Sequence, residues 1–258
     1  MKSNLLLVAV VLTLVSLALA QDKHLAAKPN SSTNCSFTFG SGSGANATQY
    51  CVTNNGNIIQ FSRPSGFEHL SSTQAEGYAV CDLNTNAAYY DYAAGGDSGW
   101  GSPTTTSTST SVQVIRTSTD GVWTLTQTIK QVKASKSNAG SAAISMALKN
   151  NSAVKRIAYI YRYANVNADG FVNNNFFNAI DAGFALDTAN YQGLELLNNS
   201  LSTGGGAYAQ TVPTGPDPCN PANGANLPFV GDGSLVLVWP LISPAGTTKT
   251  VAMTYKPL

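Results

Sequence analysis

A period of two runs through this sequence. After Asp120-Gly121, Trp123, Leu125 and Gln127 alternate with Thr124, Thr126 and Thr128, so an extended chain sends one set of side chains inward and the other outward. No long stretch keeps apolar residues at three-to-four spacing between helix caps. Many short β-prone runs, divided by Gly, Asn and Pro turns, predict an all-β fold. The expected form is an antiparallel β-sandwich with long loops, or a partly closed barrel.

Three paired units read most directly. Val112, Val114 and Ile115 lead into Asp120-Gly121, and Asp-Gly between β-prone segments is the strongest short hairpin signal. A second hairpin is expected from Ala142 to Lys149, a turn at Asn150-Asn151-Ser152, and a return from Val154 to Tyr163. Ile144, Met146 and Leu148 share one face of it, and Tyr159, Tyr161 and Tyr163 share another. A third unit runs from Ser234 to Trp239, turns at Ser243-Pro244-Ala245-Gly246, and returns from Thr247 to Tyr255. Weaker strands are expected at Ser36 to Phe39, Ile58 to Phe61, Gly77 to Cys81, Ala87 to Tyr92, Ala182 to Leu186 and Leu194 to Asn198. Long loops are expected at Asn165 to Asn178 and Gly204 to Leu227.

The start of the chain carries an export signal. Lys2, the apolar run from Leu5 to Leu19 and the small-x-small triplet Ala18-Leu19-Ala20 predict a signal peptide over 1–20. The run falls short of the roughly 20 apolar residues of a membrane span, and the mature chain shows no span. No Cys follows the cleavage site, so release is expected, as a secreted or periplasmic protein. Residues 21–33 and the Thr104 to Ser111 tract read as disordered, and 34–258 as a single sandwich domain, subdivided if at all near 104–111. The apolar content of 43% is ample for a packed core.

Charged residues are only 10% of the chain, with a net charge of +1, which gives no steering toward nucleic acid or acidic lipid. The surface must instead be built from Asn, Ser, Thr, Gly and Gln, a composition common in secreted β proteins and in surfaces that meet neutral glycans. Cys35, Cys51, Cys81 and Cys219 fit disulfides in an exported chain. Of the three pairings, Cys35 with Cys51 and Cys81 with Cys219 is favoured, since Cys35 and Cys51 flank a Gly-Ser loop. The competing pairing joins Cys51 to Cys81 and Cys35 to Cys219. Zinc fails on spacing, with no Cys-x-x-Cys and only two His.

The run from Ile144 to Tyr163, alternating into Lys-Asn-Asn-Ser and back, resembles strand pairs of bacterial extracellular immunoglobulin-like sandwiches. The ending, Pro244-Ala245-Gly246 leading to Thr250-Val251-Ala252-Met253, is similar to them too. The resemblance implies an immunoglobulin-like or larger two-sheet sandwich and carries no functional residues. Trp100, Trp123 and Trp239 do not reproduce the Cys-Trp-Cys spacing of antibody domains.

Chemistry-bearing motifs are sparse. Gly96-Asp97-Ser98-Gly99 matches the surroundings of a serine nucleophile, but no His follows His69 to act as its base, so a loop is the better reading. Asn165, Asn167 and Asp169, followed by Gly170, match the first half of a calcium loop, although Phe176 stands where the bidentate acid belongs. Calcium is therefore the one cofactor to consider. Glu68 with Glu76, or Asp91 with Asp97, are acid pairs that a fold can bring across a sugar bond. Gly42-Ser43-Gly44 imitates a dinucleotide loop but precedes an expected strand, which discards it. Asn30, Asn34, Asn46, Asn150 and Asn198 begin glycosylation sequons.

Tyr89, Tyr90, Tyr92 and Trp100 are the candidate binding surface, expected to be exposed among Gly95, Gly96, Gly99 and Gly101; Tyr159, Tyr161 and Tyr163 read as sheet filling. Together these features point to a non-enzymatic secreted or envelope-associated module for an extracellular glycan or protein surface. The alternative is a carbohydrate-active hydrolase using a carboxylate pair.

Overall fold

The structure, a computed structural model, describes residues 35–71, 76–93, 96–190, 192–210, 215–220 and 227–258. The expected leader and the 21–33 segment lie outside them. The strands are β1 (Phe37–Ser41), β2 (Thr48–Val52), β3 (Ile58–Ser62), β4 (Glu76–Asp82), β5 (Ala87–Tyr92), β6 (Gly96–Ser98), β7 (Thr104–Ser107), β8 (Ser111–Thr117) and β9 (Trp123–Val132). They continue as β10 (Ser141–Asn150), β11 (Arg156–Asn165), β12 (Asn174–Asn178), β13 (Ala182–Asp187), β14 (Gly193–Asn198), β15 (Gly206–Gln210), β16 (Phe229–Gly231), β17 (Ser234–Ser243) and β18 (Thr248–Pro257). No helix among the described residues is long and apolar enough to cross a membrane.

Two large antiparallel sheets make a sandwich. One has nine strands in the order β16-β12-β13-β14-β18-β10-β9-β8-β7, the other six in the order β15-β17-β11-β4-β5-β6. The period of two sets their inner faces. Leu125 and Ile129, Ile144 and Met146, and Val251 and Met253 line one side, and Val80, Ile160, Leu235 and Leu237 face them. Each such side chain contributes about 1.5–3 kcal/mol when fully buried. Of the three buried indoles, two find acceptors: Trp123 Nε1 donates to Asp82 Oδ2 at 3.2 Å, and Trp239 Nε1 to Asn198 Oδ1 at 3.1 Å. A smaller sheet, β1-β2-β3, joins through an aromatic chain from Phe39 through Tyr50 and Phe61 to Tyr255 on β18.

The sheet topology corrects two of the three expected hairpins. β8 and β9 do pair across Ser118–Val122, with Gly121 at φ 75°. β10 pairs with β9 and β18, whereas β11 pairs with β4 and β17, so the turn at Asn150 is a corner between sheets. β17 and β18 likewise lie in different sheets. Neither connection holds an Asp-Gly or Asn-Gly pair to fold a strand back on itself. Asn150 fastens both corners at once. Its Nδ2 donates to Val154 O at 2.8 Å and Ser243 O at 3.0 Å, its Oδ1 accepts from Ser152, and its backbone N–H donates to Thr247 O at 2.9 Å.

Three further expectations change. The Thr104–Ser111 tract is ordered edge strand β7 plus its turn onto β8, because β-branched Thr favours a pleated strand once a partner is present. The loops expected at 165–178 and 204–227 contain β12 and β15. Sheets of nine and six strands, with the supposed pair β10 and β11 divided between them, do not support the immunoglobulin-like form. Disulfides join Cys35 to Cys51 and Cys81 to Cys219, which suits an oxidising compartment.

Candidate functional site

The turn between β2 and β3 folds on its own sequence, Thr53-Asn54-Asn55-Gly56-Asn57. Thr53 Oγ1 accepts the N–H groups of Asn55 at 3.2 Å and Asn57 at 3.1 Å, and Thr53 N–H donates to Asn57 O at 2.9 Å. Gly56 is required twice. Its φ is 93°, and a Cβ there would stand 2.7 Å from Gln127 Nε2.

This turn and β5 form the walls of a polar cleft of about 380 Å³, lined by Thr53, Asn54, Asn55 and Asn57 on one side and Asp91 and Ala93 on the other. Asp91 is held at both oxygens. Asn57 Nδ2 donates to Oδ1 at 2.8 Å, Asn55 Nδ2 to Oδ2 at 2.7 Å, and Arg116 Nη1, from β8, to Oδ2 at 2.5 Å. The other arm of Arg116 reaches Asp97, the cross-strand neighbour of Asp91 on β6. Burial pushes the Asp91 carboxyl up and Asp97 adds to the rise, while Asn57, Arg116 and Asn55 pull it back. Asn57 is 1% exposed, its N–H is committed to Asp91, and its Oδ1 has no hydrogen-bond partner among the described residues. That oxygen is shielded from solvent, so what Asn57 contributes to the cleft is its hold on Asp91.

The aromatic residues divide between the two faces of the six-stranded sheet. Tyr89 and Trp100 are buried between the sheets, with ring centroids 5.7 Å apart, and Tyr89 donates to Asp120 Oδ2 at 2.6 Å. Their expected exposure is corrected. Gly99 is there for close packing, since a Cβ on it would lie 2.8 Å from Tyr89 Cδ1. Tyr90 and Tyr92 stand on the outer face, in cross-strand rows with Tyr161 and Tyr163 across Ala79 and Gly77 of β4. A segment tethered by Cys81–Cys219 covers this face: Tyr92 and Tyr161 both donate to Pro216 O, at 2.6 and 2.7 Å. Tyr92 is therefore buried, and only Tyr90 of the four predicted aromatics stays half-buried at the surface.

Asn165, Asn167 and Asp169 lie where β11 runs into a one-turn helix, Ala168–Gly170, with Asp169 at φ 55°. Asn174 organises that turn, accepting from Ala168 N–H at 3.1 Å and donating to Val166 O and Phe171 O. Phe176, at the twelfth loop position, stacks on Phe229 in the core. No group of three or more His, Cys, Asp or Glu able to hold a metal occurs among the described residues. Of the acid pairs, Asp91 and Asp97 meet, whereas Glu68 binds backbone N–H groups near β3 and Glu76 binds Arg162. Ser98 is exposed on β6, and His69 is buried with Nε2 at 3.0 Å from Arg63 O.

Asn55, Asn57 and Arg116 are absent from the sequence-derived site. One signal pointed to Arg116: Val112, Val114 and Arg116 share the inward phase of β8, which sets a charge on a buried face.

No family model matches the chain, and no curated protein matches it. Among solved structures it is similar to a bacterial glucoamylase complexed with acarbose, at 9% identity and a TM-score of 0.60, covering 89% of this chain and 33% of that one. It is also similar to a polysaccharide lyase, at 12% identity and a TM-score of 0.51, covering 84% of this chain and 33% of that one. The chain thus spans about a third of the length of each. At these identities the likeness is one of fold, and the fold is the two-sheet β-sandwich.

Proposed function

We propose that this protein is a secreted binding module for a neutral glycan, which it takes in the cleft between the Thr53–Asn57 turn and Asp91. One observation carries the reading: the cleft is walled by uncharged amides and a hydroxyl, with the Asp91 carboxylate already engaged by Asn55, Asn57 and Arg116. Sugar hydroxyls supply donors to such a wall, and the low charge of the chain suits an uncharged ligand. The likeness in fold to a glucoamylase and a polysaccharide lyase supports a carbohydrate context.

The alternative, a hydrolase using a carboxylate pair, draws on the meeting of Asp91 and Asp97. Arg116 counts against it, because its guanidinium bridges the two carboxylates and so occupies the place where a sugar bond would lie between them.

Glycan-array binding followed by calorimetric titration tests the reading. Saturable binding to a neutral oligosaccharide is expected, weakened about tenfold or more in Asn57→Leu, which frees one oxygen of Asp91 and loosens the cleft wall. An absence of binding to every neutral glycan, or binding untouched by Asn57→Leu in a folded variant, would overturn it. Sugar release that vanishes in Asp97→Asn would favour the hydrolase.

A further inference from the structure

The cleft wall is held from inside the sandwich. Asn55 O accepts from Tyr78 OH at 2.7 Å and from Gln127 Nε2 at 3.4 Å, and Gly56 O accepts from Arg162 Nη2 at 2.8 Å. Tyr78 and Arg162 belong to the six-stranded sheet and Gln127 to the nine-stranded one, so both sheets grip the same turn through its carbonyls.

Arg162 is the centre of this grip. It is fully buried, and each of its nitrogens has a partner: Nε donates to Glu76 Oε1, Nη1 to Gln127 Oε1 at 2.8 Å, and Nη2 to Gly56 O. Tying up Gln127 Oε1 fixes that amide so that its Nε2 faces Asn55 O. Glu76 in turn accepts from Tyr255 OH at 2.9 Å and, through Oε2, from Ile58 N–H at 2.8 Å, immediately after Asn57. A buried ion pair is a poor source of net stability, because desolvation offsets most of its attraction. Here its polar arms reach the one backbone stretch that displays Asn55 and Asn57.

We infer that Arg162, with Glu76, is a positioning residue of the cleft, holding the Thr53–Asn57 turn so that Asn55 and Asn57 keep their carboxamides against Asp91 at the cleft wall. Its functional weight rests on the glycan reading of the cleft; its structural content needs no ligand.

The test compares wild type with Arg162→Met/Glu76→Met, an apolar pair of similar bulk. Native-state amide hydrogen exchange read by NMR should show protection of Gly56 and Asn57 falling about tenfold or more while that of Ile144 and Val251 is retained, since only local opening changes. Affinity for whichever neutral oligosaccharide the wild type binds should fall with it. A folded double variant with unchanged protection at Gly56 and Asn57 overturns the inference. Loss of protection everywhere in proportion also overturns it, because the pair would then serve stability alone. If the double variant does not fold, Gln127→Leu gives the same reading through Asn55 O: selective loss at the turn supports the role, and an unchanged turn sinks it. A wild type that binds no glycan defeats the glycan reading and leaves the exchange result standing.

Discussion

At the scale of single residues, Glu68 and His69 show how burial sets a pH response. Glu68 Oε1 accepts three backbone N–H groups, from Phe61, His69 and Leu70, yet burial pushes its carboxyl up to about 7. Burial pushes the neighbouring His69 imidazole down to about 4, against the opposing pull of Arg63 O. Native Glu68 keeps a proton that the unfolded chain releases, so its stabilising contribution is complete below its ordinary value of 4.5 and is lost as pH rises through about 7. His69 has the opposite sign: its contribution is complete above its ordinary value of 6.5 and is lost as pH falls through about 4. The two slopes oppose each other between them. Urea unfolding across pH 4 to 8 should therefore show Glu68→Gln gaining on wild type as pH rises, by about 2–3 kcal/mol over the range. Equal pH profiles for the two proteins would contradict this assignment.

Elements show where pattern sufficed and where it did not. Periodicity located most strands closely, with Ala87–Tyr92 and Ala182–Asp187 among them, because a half-buried strand writes its two faces into alternate residues. Pairing was less legible. A strand such as β10 looks the same whether its neighbour lies beside it or across the core, and the difference is decided by connections of five or so residues and by partners distant in sequence. The site suffered for the same reason. Tyr89 and Trp100 were legible as aromatics and illegible as core, since Gly99 reads equally as a flexible surface or as room for a ring. Asn57 and Asp91 are 34 residues apart and meet only through the fold. Asn150 tests the corner geometry directly. Asn150→Ala strips both corners of buried hydrogen bonds and should cost about 2–3 kcal/mol in chemical denaturation, whereas Asn151→Ala, on an exposed neighbour, should cost under about 1 kcal/mol.

For the molecule as a whole, the Cys81–Cys219 disulfide closes a sequence separation of 138 residues and seats Pro216 over the tyrosine face. Replacing both cysteines by serine should lower stability by about 2–5 kcal/mol in urea, much of it through the freer unfolded chain. The Cys35–Cys51 bridge, with a separation of 16, should matter less.

The place where β9 passes into β10 gives the Cys81–Cys219 bridge another meaning. Residues 35–132 supply strands to both large sheets, and so do residues 141–258; the two portions meet edge to edge as β9 with β10 and again as β4 with β11. A single cut in the exposed Lys133–Lys136 stretch would leave two complementing fragments interlocked in both layers. Cys81 lies in one fragment and Cys219 in the other, so the severed protein would still migrate as one covalent particle until a reductant separates it.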